Sequence, residues 1–358
     1  MEQHLGHATY CQNLRQFIDR SDSLEARWIP VTYAAQGGLW EQIPGLPASL
    51  RGAVRGRAQV RQGLAQTSSD VVFFNTQVPA ALAGRMLQRQ PYVVATDLTP
   101  LQYDQLSRLY GHTPDRDGPL TRYKRHVNTV MLRGAARLLP WSSWARDSLI
   151  NDYGVDPARI EVLPPGVDLQ TWTPRRTRRA GPFRILFVGG DFQRKGGDLL
   201  LRAFRALPRG SAELAVVTRS LIAQEDGVTI HNNMQPNSPE LIALFQSCDA
   251  FVLPTEAEAF GIAAVEASAA GLPVIATAIG GLRDVVIDGE TGFLLQPGDM
   301  QGVSERLRLL AQDVDRCWRM GQAARRYTES RFDARQIAQR VVTTLLDVEV
   351  RAAAVQAY

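Results

Sequence analysis

The sequence predicts an α/β protein built on two parallel sheets, and three observations carry the prediction. Short β-branched or aromatic runs alternate along the chain with longer helical patterns, as strand–helix–strand units require. The rhythm is interrupted once, by Pro164-Pro165-Gly166 and the proline- and arginine-rich stretch at 173–182, which suits an exposed linker better than a core element. The length of 358 residues, at roughly 150 per domain, allows about two domains with a core each.

In the first half the predicted strands are ARWIPVTY (26–33), DVVFFNT (70–76), PYVVATD (91–97), ARLLPWS (136–142) and IEVLPPG (160–166). In the second they are FRILFVGG (183–190), AELAVVTR (212–219), VTIHNN (228–233), AFVLPT (250–255), PVIAT (273–277) and GFLLQP (292–297). Between strand and helix at 141–144, Ser142 has the chemistry of an N-cap. Cys248, in an apolar helical stretch beside Asp249, reads as a core residue. The three cysteines are too few and too far apart for a disulfide framework or a zinc site, so a reducing compartment is expected. Residues 1–10 are polar, which argues against a secretory leader. The uncharged stretch from Ala267 to Leu282 is 16 residues long and contains Pro273, too short to cross a bilayer core of about 30 Å.

Charge divides unevenly. Residues 1–180 hold 22 Lys+Arg against 15 Asp+Glu, and residues 181–358 hold 18 against 21. In the basic half, 49–66 places Arg51 and Arg55, then Arg57 and Arg61, at helical i,i+4 spacing without an acid from 42 to 69. Two readings fit this pattern: an ordinary solvated helix face, or a surface that meets anionic lipid headgroups or an acidic acceptor. The acid-free run from Leu120 to Arg146 lacks the basic-aromatic interleaving of nucleic-acid platforms, and no nucleic-acid partner is expected.

Two segments carry chemistry. In FRILFVGGDFQRKGGDLLLRAF (183–204) a strand runs through a glycine-rich turn into a helix opening near Gly196. Glycines let an anion approach the amides of a helix start, and Arg194 and Lys195 add two cations, although the spacing is neither the dinucleotide fingerprint nor a P-loop. A purely structural turn is the competing reading. In VLPTEAEAFGIAAVEASAAGLPVIAT (252–277), Glu258 and Glu266 are eight positions apart with Phe260-Gly261 between them. On one continuous helix their Cα atoms would lie about 12 Å apart, beyond the roughly 5–9.5 Å between the carboxyls of a glycosidase pair, so different roles are expected. Glu258 is placed in the loop after a strand and Glu266 about two turns into the next helix, both able to accept hydrogen bonds from polyol hydroxyls.

These segments, with GLPVIATAIGG (271–281), DGETGFLL (288–295) and YGVDPARIEVLPPGVDLQTWTP (153–174), resemble the retaining glycosyltransferases of family 4 from about residue 70 to 340. The resemblance implies the GT-B fold, two Rossmann-like parallel-sheet domains facing a central cleft. An acceptor-side domain is expected over 1–168, a nucleotide-sugar domain over 169–335, and a helix over 336–358 that crosses back to the first. By similarity Lys195 would hold the donor diphosphate together with Gly189, Gly190 and Arg194. Glu258, Ala259, Phe260, Gly261 and Ile262 would contact the sugar, and Glu266 the ribose. Glu258 and Lys195 are the implied catalytic residues, and Gly6, His7 and Asp97 would face the acceptor; His7 could equally be a surface residue.

The sequence departs from the family at three places. Gly190 stands where the family usually carries arginine, with Arg194 the expected substitute. Thr96 stands where histidine often precedes the aspartate kept here as Asp97. The strand expected before Gly6 has no counterpart. Asp284 matches a position often held by glutamate, and His231, Asn232 and Asn233 lie where the family binds the nucleobase. The implied activity is metal-independent transfer of a hexose, with retention, from a nucleotide-diphosphate sugar to a hydroxyl of a glycan, lipid or small molecule, with no cofactor beyond that co-substrate. The alternatives are an inactive sugar-nucleotide-binding protein or a nucleotide-sugar epimerase on the same fold. A cytoplasmic protein is the expected setting, and peripheral contact with the inner face of an anionic membrane is what the second reading of the basic helix would add.

Overall fold

The computed structural model describes residues 1–2, 6–34, 48–66, 68–88, 90–111, 113, 118–175 and 181–356. Most of the arginine-rich stretch at 176–180, and residues 3–5 before Gly6, lie outside them. The chain forms two compact units. The first combines Met1–Gln105, Pro114–Pro164 and Arg335–Tyr358; the second combines Leu106–Thr113 and Pro165–Ala334.

The first unit contains α1 (Gly6–Ile18), α2 (Ala48–Gln66), β1 (Val72–Phe74), α3 (Gln77–Ala83), β2 (Tyr92–Thr96), α4 (Pro100–Gln105), α5 (Pro119–Gly134), β3 (Arg137–Pro140) and α6 (Ser143–Asn151). The three strands pair in parallel in the order β1-β2-β3. Every residue of β2 is buried, as expected of a central parallel strand covered on both faces. Its core joins Val94 and Leu138 to Val60 of α2, Ala80 and Ala83 of α3, Met131 and Leu132 of α5 and Leu149 of α6. Ser142 caps α6, its hydroxyl accepting from the Ala145 amide. On α2, Arg57 and Arg61 are exposed while Arg51 and Arg55 are half-buried.

Two predicted strands are reduced to single bridges among the described residues. Within 26–33 only Val31 makes a bridge, to Glu2, and its amide donates to Met1 O at 2.8 Å. Met1 N donates to Ile29 O at 2.6 Å, so Ile29 and Val31 face this partner, and residues 3–5, through which a ladder would continue, lie outside the described residues. The segment 160–166 makes a single bridge from Ile160 to Leu138. Glu161 N and Leu163 N donate to Leu138 O and Pro140 O, but Pro140 has no N–H, and Pro164-Pro165 end the run.

The second unit contains β4 (Phe183–Val188), α7 (Gly197–Arg205), β5 (Ala212–Val217), β6 (Val228–His231), α8 (Pro239–Gln246), β7 (Ala250–Leu253), α9 (Ile262–Ala269), β8 (Val274–Thr277), α10 (Leu282–Val285), β9 (Gly292–Leu295), α11 (Met300–Gln312) and α12 (Val314–Arg331). All six strands are parallel, in the order β6-β5-β4-β7-β8-β9. The chain starts at the centre, winds outward to β6, returns beside β4 as β7 and winds outward again. Such a switch point opens a crevice at the carboxyl ends of the two central strands, where doubly wound sheets bind ligands. The segments carrying Lys195 and Glu258 follow β4 and β7.

Cys248 is fully buried, two residues beyond the end of α8 rather than within it. Arg325 of α12 ties this unit together, its guanidinium donating to Ala269 O at 2.7 Å and also to the carbonyls of Trp172 and Leu169. Where the chain enters and leaves the unit, Val167 N donates to Phe332 O at 2.8 Å and Ala334 N to Val167 O at 3.0 Å. The last helix, α13 (Ala334–Gln356), groups with the first unit from Arg335 onward, and its Arg340 donates to Glu161 Oε1 at 3.0 Å. No helix among the described residues is long and apolar enough to cross a membrane.

Candidate functional site

The loop leaving β4 is shaped by its glycines and one aromatic contact. Phe192 packs edge-on against Phe187 with ring centres 5.5 Å apart, and Gly197 N donates to Phe192 O at 2.8 Å, turning the chain into α7. Gly196 caps that helix at φ +80°, and a Cβ there would lie 2.0 Å from Pro254 O. The glycine therefore lets the glycine-rich loop lie directly on the segment that leaves β7. Glu256 N then donates to Arg194 O at 3.0 Å, joining the two loops by backbone.

This contact brings together Lys195 and Glu258, 63 positions apart in sequence, as an ion pair between Nζ and Oε2. The two side chains are only 17% and 10% exposed, so water screens the pair weakly. Glu258 is held from behind: Gly281 N donates to Ala259 O at 2.9 Å, and Gly280, at φ +49°, lies so close that a Cβ would fall 1.9 Å from Glu258 O. Gly280→Ala is accordingly expected to cost about 2–5 kcal/mol, from left-handed strain plus overpacking. Urea denaturation of the variant checks this value; an unchanged midpoint would show that the loop yields freely.

Ala259 and Phe260 are buried, Phe260 with its ring centre 6.2 Å from that of Phe332. Gly261, at φ +99°, opens α9, whose first residue is Ile262. Glu266 is the fifth residue of α9, so it lies little more than one turn into the helix, nearer the loop than the two turns expected. Its carboxyl is buried, and desolvation pushes its pKa up to about 8. Gly189 backs onto Lys195, a Cβ there falling 2.9 Å from Lys195 Cβ and Cγ.

Arg194 is placed differently from Lys195. Its guanidinium donates to Ala257 O at 3.0 Å, approaches Asp191 at 3.4 Å and lies 4.5 Å from the centre of the Tyr110 ring. The space over Gly190 is taken by another residue, Arg219, whose Nη2 lies 2.9 Å from where a Cβ of residue 190 would be. Sequence reasoning did not single out Arg219; its only signal was its place as the last residue of the predicted strand 212–219. His231 O accepts from Thr218 N at 3.1 Å and Asn232 Nδ2 donates to Thr218 O at 3.1 Å, so these candidates for base contacts brace the ends of β5 and β6. Tyr327 Oη donates to Asp284 O at 2.9 Å, so Asp284 is held by its backbone.

In the first unit, Gly6 begins α1 and the next residue, His7, points Nε2 at Asp97 Oδ2 across 3.5 Å. Burial opposes charge on His7, but the facing Asp97 carboxylate and, more weakly, Glu2 outweigh it, so its pKa lies above the ordinary histidine value. The ring also leans on Trp141, with centres 4.9 Å apart. Thr96, buried at the end of β2, directs its hydroxyl to Gln77 Oε1 and Leu98 O. Carboxylate, imidazole and amide thus converge at the carboxyl ends of β1, β2 and β3.

The family profile described as Glycosyl transferases group 1 matches residues 170–327, and the one described as Glycosyltransferase Family 4 matches residues 25–171. The chain belongs to the group 1 glycosyltransferases. Within the family it is 33% identical over 235 residues to a D-inositol 3-phosphate glycosyltransferase of Paenarthrobacter aurescens, a match covering 59% of this chain and 58% of the relative. It is 30% identical over 233 residues to a glycogen synthase of Mycobacterium tuberculosis, covering 62% and 56%. The chain thus spans a little over half the length of the curated relatives it matches. Among solved structures it resembles a sucrose-phosphate synthase from Thermosynechococcus elongatus, with TM-score 0.76, 19% identity and coverage of 98% and 95%. HepE of Anabaena in complex with UDP-glucose gives TM-score 0.65, 19% identity and coverage of 82% of each chain. The fold is the GT-B type.

Proposed function

We propose that the chain transfers a hexose from a nucleotide-diphosphate sugar to a hydroxyl acceptor, with retention and without a metal ion. The observation that carries this reading is the Lys195–Glu258 ion pair at the β4/β7 switch point, beside the glycine-led starts of α7 and α9. A diphosphate entering there would take Lys195 as its counter-ion, supported by the free amides of α7. Glu258, released from the lysine, would accept from sugar hydroxyls, and Glu266 from the ribose.

As the bond from the anomeric carbon to the phosphate oxygen breaks, negative charge grows on the diphosphate, where Lys195 and the helix amides stabilise it. The acceptor hydroxyl forms its bond to the same face of the sugar and passes its proton to a phosphate oxygen. No carboxylate base is then needed, which suits a Glu258 engaged with sugar hydroxyls. The UDP-glucose bound by the HepE structure makes that donor the first to try.

Turnover of UDP-, GDP- and ADP-hexoses with candidate acceptors, followed by nucleoside-diphosphate release, tests the reading. One donor should be consumed, the linkage should keep the donor's anomeric configuration by NMR, and EDTA should leave the rate unchanged. An inverted product or a rate lost with EDTA overturns the corresponding part. Nucleotide binding without turnover under any condition favours the inactive sugar-nucleotide-binding alternative.

A further inference from the structure

Lys195, Arg194 and Arg219 stand at the glycine loop after β4, and the first two are already committed within the protein. Lys195 is paired with Glu258, and Arg194 is held by Ala257 O, Asp191 and the Tyr110 ring. The third, Arg219, is exposed, and no carboxylate among the described residues pairs with it. Its place follows from sheet register. Val188 pairs with Val217 where β4 and β5 run in parallel, so two residues further on Gly190 comes opposite Arg219. The missing side chain at 190 is what admits the guanidinium: a Cβ there would stand 2.9 Å from Nη2 and 3.1 Å from Nε.

The arginine is also fastened at its base. On one side Thr218 N donates to His231 O at 3.1 Å, and on the other Ser220 Oγ accepts from Phe192 N, inside the glycine loop, at 3.1 Å. The backbone at 219 is therefore tied to the loop it faces. Gly189 and Gly190, adjacent in sequence, carry Lys195 on one flank and Arg219 on the other. An arginine fork matches a phosphate in a bidentate manner that a lysine cannot reproduce.

We propose that Arg219 completes the diphosphate-binding loop, its guanidinium crossing over Gly190 to bind the diphosphate of the donor opposite Lys195. This assignment rests on the nucleotide-sugar reading of the site, deepens it by one binding residue, and explains how the loop tolerates glycine at 190.

The test is calorimetric titration of the full chain with UDP, GDP and ADP and with the matching nucleosides. Wild type is compared with Arg219→Ala, Arg219→Lys, Lys195→Ala and the double variant Gly190→Arg/Arg219→Ala. Arg219→Ala should weaken the nucleoside diphosphate tenfold or more, as loss of a charge-assisted hydrogen bond does, and leave the nucleoside unchanged. Arg219→Lys should recover only part of the affinity. The double variant, which restores a guanidinium to the same space from the other strand, should recover most of it, a result that a merely structural role for Arg219 would not produce. Melting temperatures without ligand check that each variant is folded.

If Lys195→Ala loses affinity while Arg219→Ala binds the diphosphate as wild type does, the proposal falls and the reading of the site stands. If wild type binds none of the three diphosphates, or Lys195→Ala binds unchanged, the reading itself falls and takes the proposal with it.

Discussion

Lys195→Ala is expected to lower kcat/KM by about two to three orders of magnitude, the usual cost of removing one preorganised group that stabilises charge growing on a leaving oxygen. Lys195 is half of a weakly screened pair at the switch point, and Arg194, the nearest basic residue in sequence, is held elsewhere by Ala257 O, Asp191 and Tyr110. The variant should also lose stability, because Glu258 is left without its counter-ion in a site only 10% exposed. Removing one partner of a buried pair costs about 3–5 kcal/mol, and the remaining solvent access lowers that figure here. Adding Glu258→Gln to Lys195→Ala removes the stranded charge, so the double variant should melt above the single one and remain inactive. Steady-state kinetics and thermal melts read the two effects separately. A turnover within a few-fold of wild type in Lys195→Ala would sink the assignment.

The second large effect lies at Glu266 and depends on pH. Its carboxyl titrates near 8 in the folded protein because burial disfavours the charged form, against about 4.5 when unfolded. Between those values the native chain holds a proton that the unfolded chain has lost. The stability associated with Glu266 is therefore complete below pH 4.5, declines as pH rises through the window and levels off above 8. The decline is on the order of a few kcal/mol. Glu266→Gln has no proton to lose, so its stability should gain on wild type across that window. Parallel pH series of chemical denaturation measure the gap, and curves with the same slope would refute the burial argument.

The same group makes a prediction for binding. Ribose hydroxyls donating to Glu266 favour its ionised form, so nucleotide binding near neutral pH should release a proton. The binding enthalpy would then vary with the ionisation enthalpy of the buffer in wild type and not in Glu266→Gln.

What the sequence made legible was what repeats locally. The six strands of the second unit fall within their predicted runs because each is apolar and turn-bounded, and Gly196 and Gly261 stand where their helices begin. The failure at 160–166 was a proline effect: β-branched residues marked a strand, but Pro140 withheld a donor that the ladder needs. Glu258 and Glu266 stand in the elements expected of them, one in a loop and one buried in α9, although the helix starts too late to put Glu266 two turns in.

Contacts between distant segments were not legible. Nothing local links Lys195 to Glu258, 63 positions away, or His7 to Asp97. Arg219 was invisible for a subtler reason, since its importance depends on the register of β5 against β4 and on a side chain that Gly190 lacks.

The hydrogen bonds joining Val167 to Phe332 and Ala334 have a consequence for how the chain is made. They close the 170 residues from Pro165 to Ala334 into a ring, and gathering the ends of so long a loop costs about 4–5 kcal/mol of entropy. As the ribosome releases the chain, the second unit holds both its segments once Ala334 has emerged. The first unit has most of its residues earlier and still waits for Arg335 onward, so it is begun first and finished last. Once the inserted ring has closed, the two segments that flank it are brought together, and the entropic cost of joining them has already been met by the unit between them.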